Sequence, residues 1–408
     1  MDLKHRLRRL LGEAGPDPQE PAGREALEPE GNKIIIPGRK VEHPLGSFWL
    51  RTVDHPLATL HGRKKLEAVL QVDAGRLKVL TSDPGLEHYA SERAIFIDTE
   101  TTSLAGGAGV YVFMAGIGFM HQGQFRVEQY FMRDYDEEPA MLTAFNDRVS
   151  GFNAMVSFFG KNFDRYRLED RMCMLGIKSA LPVLCHLDLY HVGRRLYKGR
   201  FPDLKLKTIE EFLLGVEREG DIPGAECPEA YFQYLRGMDD GRMADVFYHN
   251  LQDILSLVTL TTEVDDLAAN PGSAIDRYMM ACVYLKGGLP DRARPLLDEV
   301  YEDLPPGPTG LDALLKRAML LKGAKQYQPL EETLRRLLDL DPGHSAALTE
   351  MAKHLEHTCK DFEKALSFAL QARIVLEGKD AWHPSRARLI KDIDRRIDRL
   401  KKKNERSI

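Results

Sequence analysis

Cysteine is scarce in this chain and tryptophan scarcer, at five and two of 408 residues. Cys173, Cys185, Cys227, Cys282 and Cys359 are odd in number, widely scattered and form no CxxC pair, which argues against a disulfide framework or a cysteine-based zinc module. A reducing cytoplasm is the compartment that fits. Long apolar runs are missing as well: no stretch reaches the ~18 apolar residues of a membrane span, and the opening MDLKHRLRRLLGEAG lacks the apolar core of a secretory signal. Excess positive charge is also absent. A formal net charge of −5 excludes a uniformly basic binder, so any contact with nucleic acid must come from local basic patches. Gly106-Gly-Ala-Gly109 lacks both GxGxxG and a following GK[ST], and it connects two expected strands; it reads as flexible backbone.

What the chain does contain is 43% hydrophobic residues, enough for two or three compact cores. Residues 1–45 hold a short basic amphipathic segment, with Leu3, Leu7, Leu10 and Leu11 on one face, followed by a Pro-, Gly- and charge-rich linker. Short apolar runs then begin: AIFID at 94–98, VYVFMAGIGFM at 110–120 and FRVEQYFM at 125–132 predict three consecutive antiparallel strands. Helical spacing over 137–149, a buried run at 155–159, a helix from about 163 and an apolar run at 183–190 predict a mixed α/β sheet. The segment 191–245 reads as an insertion with short helices, and 246–268 as a long helix that closes the domain at residue 269. From 270 to 408 the pattern is helical, and Ala293, Glu332 and Ala365 mark equivalent places in three helix-turn-helix units, near the ~34-residue period of tetratricopeptide-like repeats. Leu389, Ile390, Ile393, Ile397 and Leu400 line one side of a capping terminal helix.

AIFIDTETT ends an apolar strand on two carboxylates. Side chains two apart on a strand share a face, so Asp98 and Glu100 repel one another unless a cation lies between them. A divalent ion with a preference for oxygen, Mg²⁺ or Mn²⁺, answers that need. Two more carboxylates follow in order. Asp164 stands at a helix start in FFGKNFDRYR, and Asp253 lies four residues after His249 in YHNLQD, on one helical face. Singly, each has a plainer reading: a capped strand end, a charge favoured by a helix dipole, a surface hydrogen bond.

Together, FIDTET, GKNFD and YHNLQD resemble the three motifs of the ribonuclease H-like, DnaQ-type 3′–5′ exonuclease superfamily. LYHVGRRLY, KLKTIEEFLLG, VEREGDIPG and YHNLQDILSL are similar to its YprB-type branch. The resemblance covers about residues 45–265 and implies a five-stranded mixed sheet flanked by helices, with Asp98, Glu100, Asp164 and Asp253 holding two divalent ions. It makes His249 the general base, with one departure. The superfamily places a His five residues before the last Asp or a Tyr four before it, whereas here Tyr248 is five before and His249 four. Thr101 and Asn162, inside the motifs, are assigned to the substrate. So are Arg194, Arg195, Lys198, Arg200 and Lys205, basic residues interleaved with Tyr197 and Phe201 as single-stranded nucleic acid requires. Asp188 and Asp221 read either as supporting groups or as turn residues. The expected activity is a metal-dependent nuclease, a 3′–5′ exonuclease, with the repeats available to a protein partner. Its competitors are a non-catalytic nucleic-acid-binding scaffold and a structure-specific endonuclease.

Overall fold

The computed structural model describes residues 36, 38–103, 109–301, 303, 307–378 and 384–405. The amphipathic N-terminal segment, most of its linker and residues 106–108 of the Gly106–Gly109 stretch lie outside the described residues. At the centre is one mixed sheet of seven strands: β1 (Arg39–His43), β2 (Gly46–Pro56), β3 (Ala94–Thr101), β4 (Val112–His121), β5 (Gln124–Phe131), β6 (Ala154–Ser157) and β7 (Cys185–Asp188). Their order across the sheet is β1-β2-β5-β4-β3-β6-β7. β3, β4 and β5 are the expected antiparallel run, and β6 and β7 continue it in parallel to β3. Ala94 to Ile97 are buried throughout because β3 is an inner strand covered on both faces. Gln122 and Gly123 both have positive φ, the geometry of a two-residue hairpin turn matched to strand twist.

The sheet exceeds the expected five strands by a hairpin at its edge. β1 lies inside the stretch read as linker, and β2 pairs along β5 from Trp49↔Phe131 to Pro56↔Gln124. GSFWLRTVDHP buries only Phe48 and Leu50 deeply, so the signal of a half-exposed strand was weak among its polar neighbours.

Helices cover both faces: α1 (Ala74–Thr81), α2 (Glu138–Val149), α3 (Asp164–Met174), α4 (Leu189–Leu196), α5 (Cys227–Leu235) and α6 (Arg242–Ala269). α6 crosses β4 at close range. A Cβ on Gly116 would stand 2.1 Å from Asn250 Oδ1, and one on Gly118 would stand 2.6 Å from Ile254 Cγ2. Glycine at these two positions is therefore what lets the long helix lie against the strand.

The remaining chain is all helix: α7 (Ala274–Lys286), α8 (Pro290–Glu299), α9 (Pro308–Gly323), α10 (Tyr327–Leu340), α11 (Ser345–His354, extended by a π-turn to Cys359), α12 (Phe362–Glu377) and α13 (Pro384–Glu405). Met280 and Val283 of α7 enter the same core as Val258, Val264 and Ala268 of α6. Beyond it, α9 to α13 share a core of their own that includes Leu334, Met351, Ala369 and Ile397. Glu332 is exposed and is not the counterpart of buried Ala293 and Ala365. That place, fourth in its helix, belongs to Leu330. None of the described helices is long and apolar enough to cross a membrane.

One buried acid gathers the basic face of α13. Glu356 is fully buried and accepts from Arg399 Nε at 2.7 Å and Lys403 Nζ at 3.0 Å, and from Arg396. Burial alone would raise its pKa, but the hydrogen bonds from Arg399 and Lys403 and the charges of Arg396 and Arg399 hold it at about 2, below its ordinary 4.5. A carboxylate depressed in the fold stabilises above its unfolded pKa, and that contribution is lost as pH falls from 4.5 towards 2. After discounting for partly solvated Arg399 and Lys403, it is on the order of 2 kcal/mol. Thermal unfolding of Glu356→Gln against wild type should show the two stability curves converging over that window. Parallel curves would remove the acid from this role.

Candidate active site

Three elements deliver four carboxylates to one end of the sheet. β3 supplies Asp98 and Glu100 from its C-terminal half, just before the register with β4 shifts between Glu100 and Thr101. The loop after β6 supplies Asp164 as the first residue of α3. Its shape is set by Asp188 at the end of β7, whose carboxylate accepts the backbone N–H groups of Phe159 at 3.0 Å, Lys161 at 2.9 Å and Tyr190 at 3.1 Å. Asp188 is thus a backbone-satisfying residue. Thr99 Oγ1 then donates to Asp164 Oδ1 at 2.5 Å, tying the loop to β3.

α6 supplies the rest. Asn250 Nδ2 donates to the Asp98 carbonyl at 3.1 Å and to Asp98 Oδ2 at 2.8 Å. Gln129 on β5 fixes that amide by donating to Asn250 Oδ1 at 2.8 Å, and Arg51 on β2 donates to Gln129 Oε1 at 3.0 Å. One turn along α6, Asp253 accepts from Arg218 at 2.5 Å. Arg218, almost fully buried, also binds Glu210 and reaches Asp221 Oδ2 at 3.3 Å. His249 Nδ1 faces Asp221 Oδ1 at 2.9 Å, which leaves Nε2 turned inward, 3.7 Å from Asp253 Oδ2. Gly224 comes so near that a Cβ there would be 3.3 Å from Nε2.

Sequence reasoning missed Asn250, Gln129, Arg218 and Cys227. Buried polar Gln129 in an apolar strand and Arg218 within REGDIPG were the available signals. His249, rather than Tyr248, is the side chain that this network holds.

The electrostatics are those of crowded acids. Burial, then repulsion from Asp253, Glu100 and Asp164, raises Asp98 well above the ordinary carboxylate range. Burial and the Asp253 and Asp164 charges bring Glu100 to about 8 against the pull of His249 and a hydrogen bond from Cys227. Burial takes Asp164 to about 6 despite the Thr99 hydrogen bond. His249, which burial alone would lower, reaches about 9 through its bond to Asp221 and the charges of Asp253 and Glu100. Carboxylates forced together at such cost suit divalent cations with oxygen preference, so the donor set fits that group. Glu100, Cys227 and His249 also bring one ligand atom each within 4.8 Å of the others.

The basic stretch after β7 divides. Arg195 donates to the Leu80 carbonyl and reaches Ser82 Oγ at 3.4 Å, and Arg200 pairs with Asp276 at 2.6 Å. Arg195 therefore fastens α4 to α1, and Arg200, in the turn after α4, is tied to the start of α7; neither points to substrate, and Tyr197 is wholly buried. Arg194, over the Tyr190 ring at 6.0 Å, and Lys198 and Lys205 remain exposed. Thr101 is buried and donates to the Ser103 carbonyl, which makes it a turn-forming residue, and Asn162 lies 3.3 Å from His191. Beside the Asp164 loop, Phe158, Phe159, Tyr190, Leu204, Lys205 and Leu206 line a cleft of about 490 Å³. Phe159 holds a left-handed backbone at φ 66° with its ring 41% exposed, edge-on to Tyr190 at 4.9 Å. That backbone is rare for a bulky residue.

Comparison with known proteins supplies three findings. A family model described as the RNase H superfamily matches residues 95–264, which begin on β3 and end on α6. The uncharacterized protein YprB of Bacillus subtilis (strain 168) is 30% identical over 338 residues, 79% of each chain. Among solved structures, the family B DNA polymerase from the hyperthermophilic archaeon Pyrobaculum calidifontis aligns with 47% of this chain at 16% identity and a TM-score of 0.32. The chain spans 29% of that polymerase.

Proposed function

The chain belongs to the RNase H superfamily, alongside YprB, and on that premise we propose that it is a two-metal-dependent nuclease acting as a 3′–5′ exonuclease on single-stranded ends. Membership alone points to nuclease-type chemistry; the finer reading rests on the convergence of Asp98, Glu100, Asp164 and Asp253 from three elements. Asp98, Glu100, Asp164 and Asp253 would hold two divalent ions, which would supply stabilisation of both the attacking and the leaving oxygen at phosphorus. Asn250 keeps the Asp98 carboxylate aimed, and Thr99 does the same for Asp164. Cations held by Asp253 and Glu100 would offset the charges that raise His249, leaving Nε2 free to take a proton from the attacking water while Asp221 fixes the tautomer through Nδ1.

The exposed Phe159 ring and the half-buried Tyr190 ring, with Lys205, fit the stacking and phosphate contacts of an unpaired strand end. Arg194 and Lys198 extend that basic face. The helices after residue 270, of which α7 packs into the core of α6 while α9 to α13 share a core of their own, serve as a tetratricopeptide-like docking platform in this reading.

The test is degradation of end-labelled single-stranded DNA and RNA with Mg²⁺ or Mn²⁺. A ladder from the 3′ end supports the reading; binding of the strands without cleavage moves it to the non-catalytic scaffold, and internal cuts to the endonuclease. In the same assay His249→Ala should lower kcat by about 10²–10⁴-fold with KM little changed. A rise in KM alone would make His249 a binding residue.

A further inference from the structure

Cys227 is a buried nucleophilic group that the nuclease reading leaves without a task. It is the first residue of α5, and burial together with the Glu100, Asp98 and Asp253 charges around it holds its thiol well above the ordinary range, so that a thiolate there needs a cation beside it. α5 is pinned to the sheet by Tyr231, whose ring stacks on Phe113 of β4 at 4.2 Å with 3° between planes. The Cys227 sulfur, a Glu100 oxygen and a His249 ring nitrogen converge within 4.8 Å. Because Asp221 occupies Nδ1 at 2.9 Å, the nitrogen turned to the cluster is Nε2, and Asp253 Oδ2 lies 3.7 Å from it. A carboxylate behind the far nitrogen is the usual support of a zinc-ligating histidine.

Thiolate, imidazole and carboxylate together are the donors of Zn²⁺, whereas Mg²⁺ takes oxygen. We propose that Glu100, Cys227 and His249 form a soft-metal site for Zn²⁺ that shares the Glu100 carboxylate with the hard-ion site and, when filled, silences cleavage. The regulatory half of this statement rests on the nuclease reading; the site itself does not. Binding forms Zn–S and Zn–N bonds and releases the thiol proton and the Nε2 proton of His249 to solvent, with no change of oxidation state.

The test titrates Cd²⁺, a spectroscopically visible stand-in for Zn²⁺, into metal-free full-length wild type, Cys227→Ser and Cys227→Ala, following thiolate-to-metal absorption. Exposed Cys173 and Cys359 contribute the same background to all three. Wild type should show one additional tight site that Zn²⁺ displaces and a large excess of Mg²⁺ does not. The absorption of that site should be lost in both variants, leaving only the background. Thermal unfolding with Zn²⁺ gives a second readout, since an ion bound to the folded state raises Tm. Equal absorption and equal Zn²⁺-induced Tm shifts in wild type and in either folded variant would overturn the site. A site that forms in a protein that cuts no nucleic acid would sink the nuclease reading and leave the site standing. Cleavage of substrate that Zn²⁺ does not inhibit, with the site present, would overturn the silencing alone.

Discussion

Asp98→Asn should lower metal-dependent cleavage by at least about 10³-fold and at the same time raise the melting temperature measured in chelator. The loss follows from the several kcal/mol that a metal-held transition state forfeits with a ligand. The gain follows from the structure: Asp98 is buried among Glu100, Asp164 and Asp253, and its charged form is disfavoured. Asparagine keeps the shape, retains an oxygen for Asn250 Nδ2 and removes the repulsion. Opposite signs for activity and stability mark a residue kept for chemistry at the fold's cost. Single-turnover cleavage and calorimetry on the same preparation decide it. Joint loss of both would make Asp98 structural.

Arg218 should behave in the reverse sense. Its guanidinium joins Glu210, Asp221 and Asp253, acids that burial would otherwise leave facing one another. Removing one partner of a buried ionic network typically costs about 3–5 kcal/mol. Arg218→Met should therefore lose about that much in denaturant titration with chelator present. Added Mn²⁺ should return part of it, because a bound cation replaces some of the missing positive charge. An unchanged midpoint in chelator would show that the acids simply protonate or hydrate.

These two residues also show what could be read in advance. The meeting of Asp98 with Asp164 and Asp253 was legible because D-x-E at a strand end, an Asp at a helix start and an Asp on a late helix follow in a fixed order on an α/β pattern. Arg218 was not. It sits in a segment without periodicity, and its role depends on three partners from 3 to 35 residues away that only the fold brings together. Arg195 and Arg200 show the opposite error. A basic stretch in sequence does not reveal which cations the fold will consume internally, and here helix packing takes two of them. The β1–β2 hairpin escaped notice because a sheet edge needs only every second residue to be apolar, and that strand buries few deeply.

The same hairpin bears on how the protein behaves when concentrated. An open sheet ends in rows of unpaired backbone groups that can recruit another extended chain. Here one border is β1, five residues with Arg39, Lys40 and Glu42 among them, and the other is β7, four residues long before the chain turns into α4. A short charged border at β1 and a still shorter one at β7 give an incoming strand little to zip against. Without the hairpin, the eight residues of β5, with Val127 and Phe131 buried, would form that margin instead. A pairing of two polypeptides edge to edge, the first step of many amorphous and fibrillar aggregates, is thereby discouraged at both sides of the sheet.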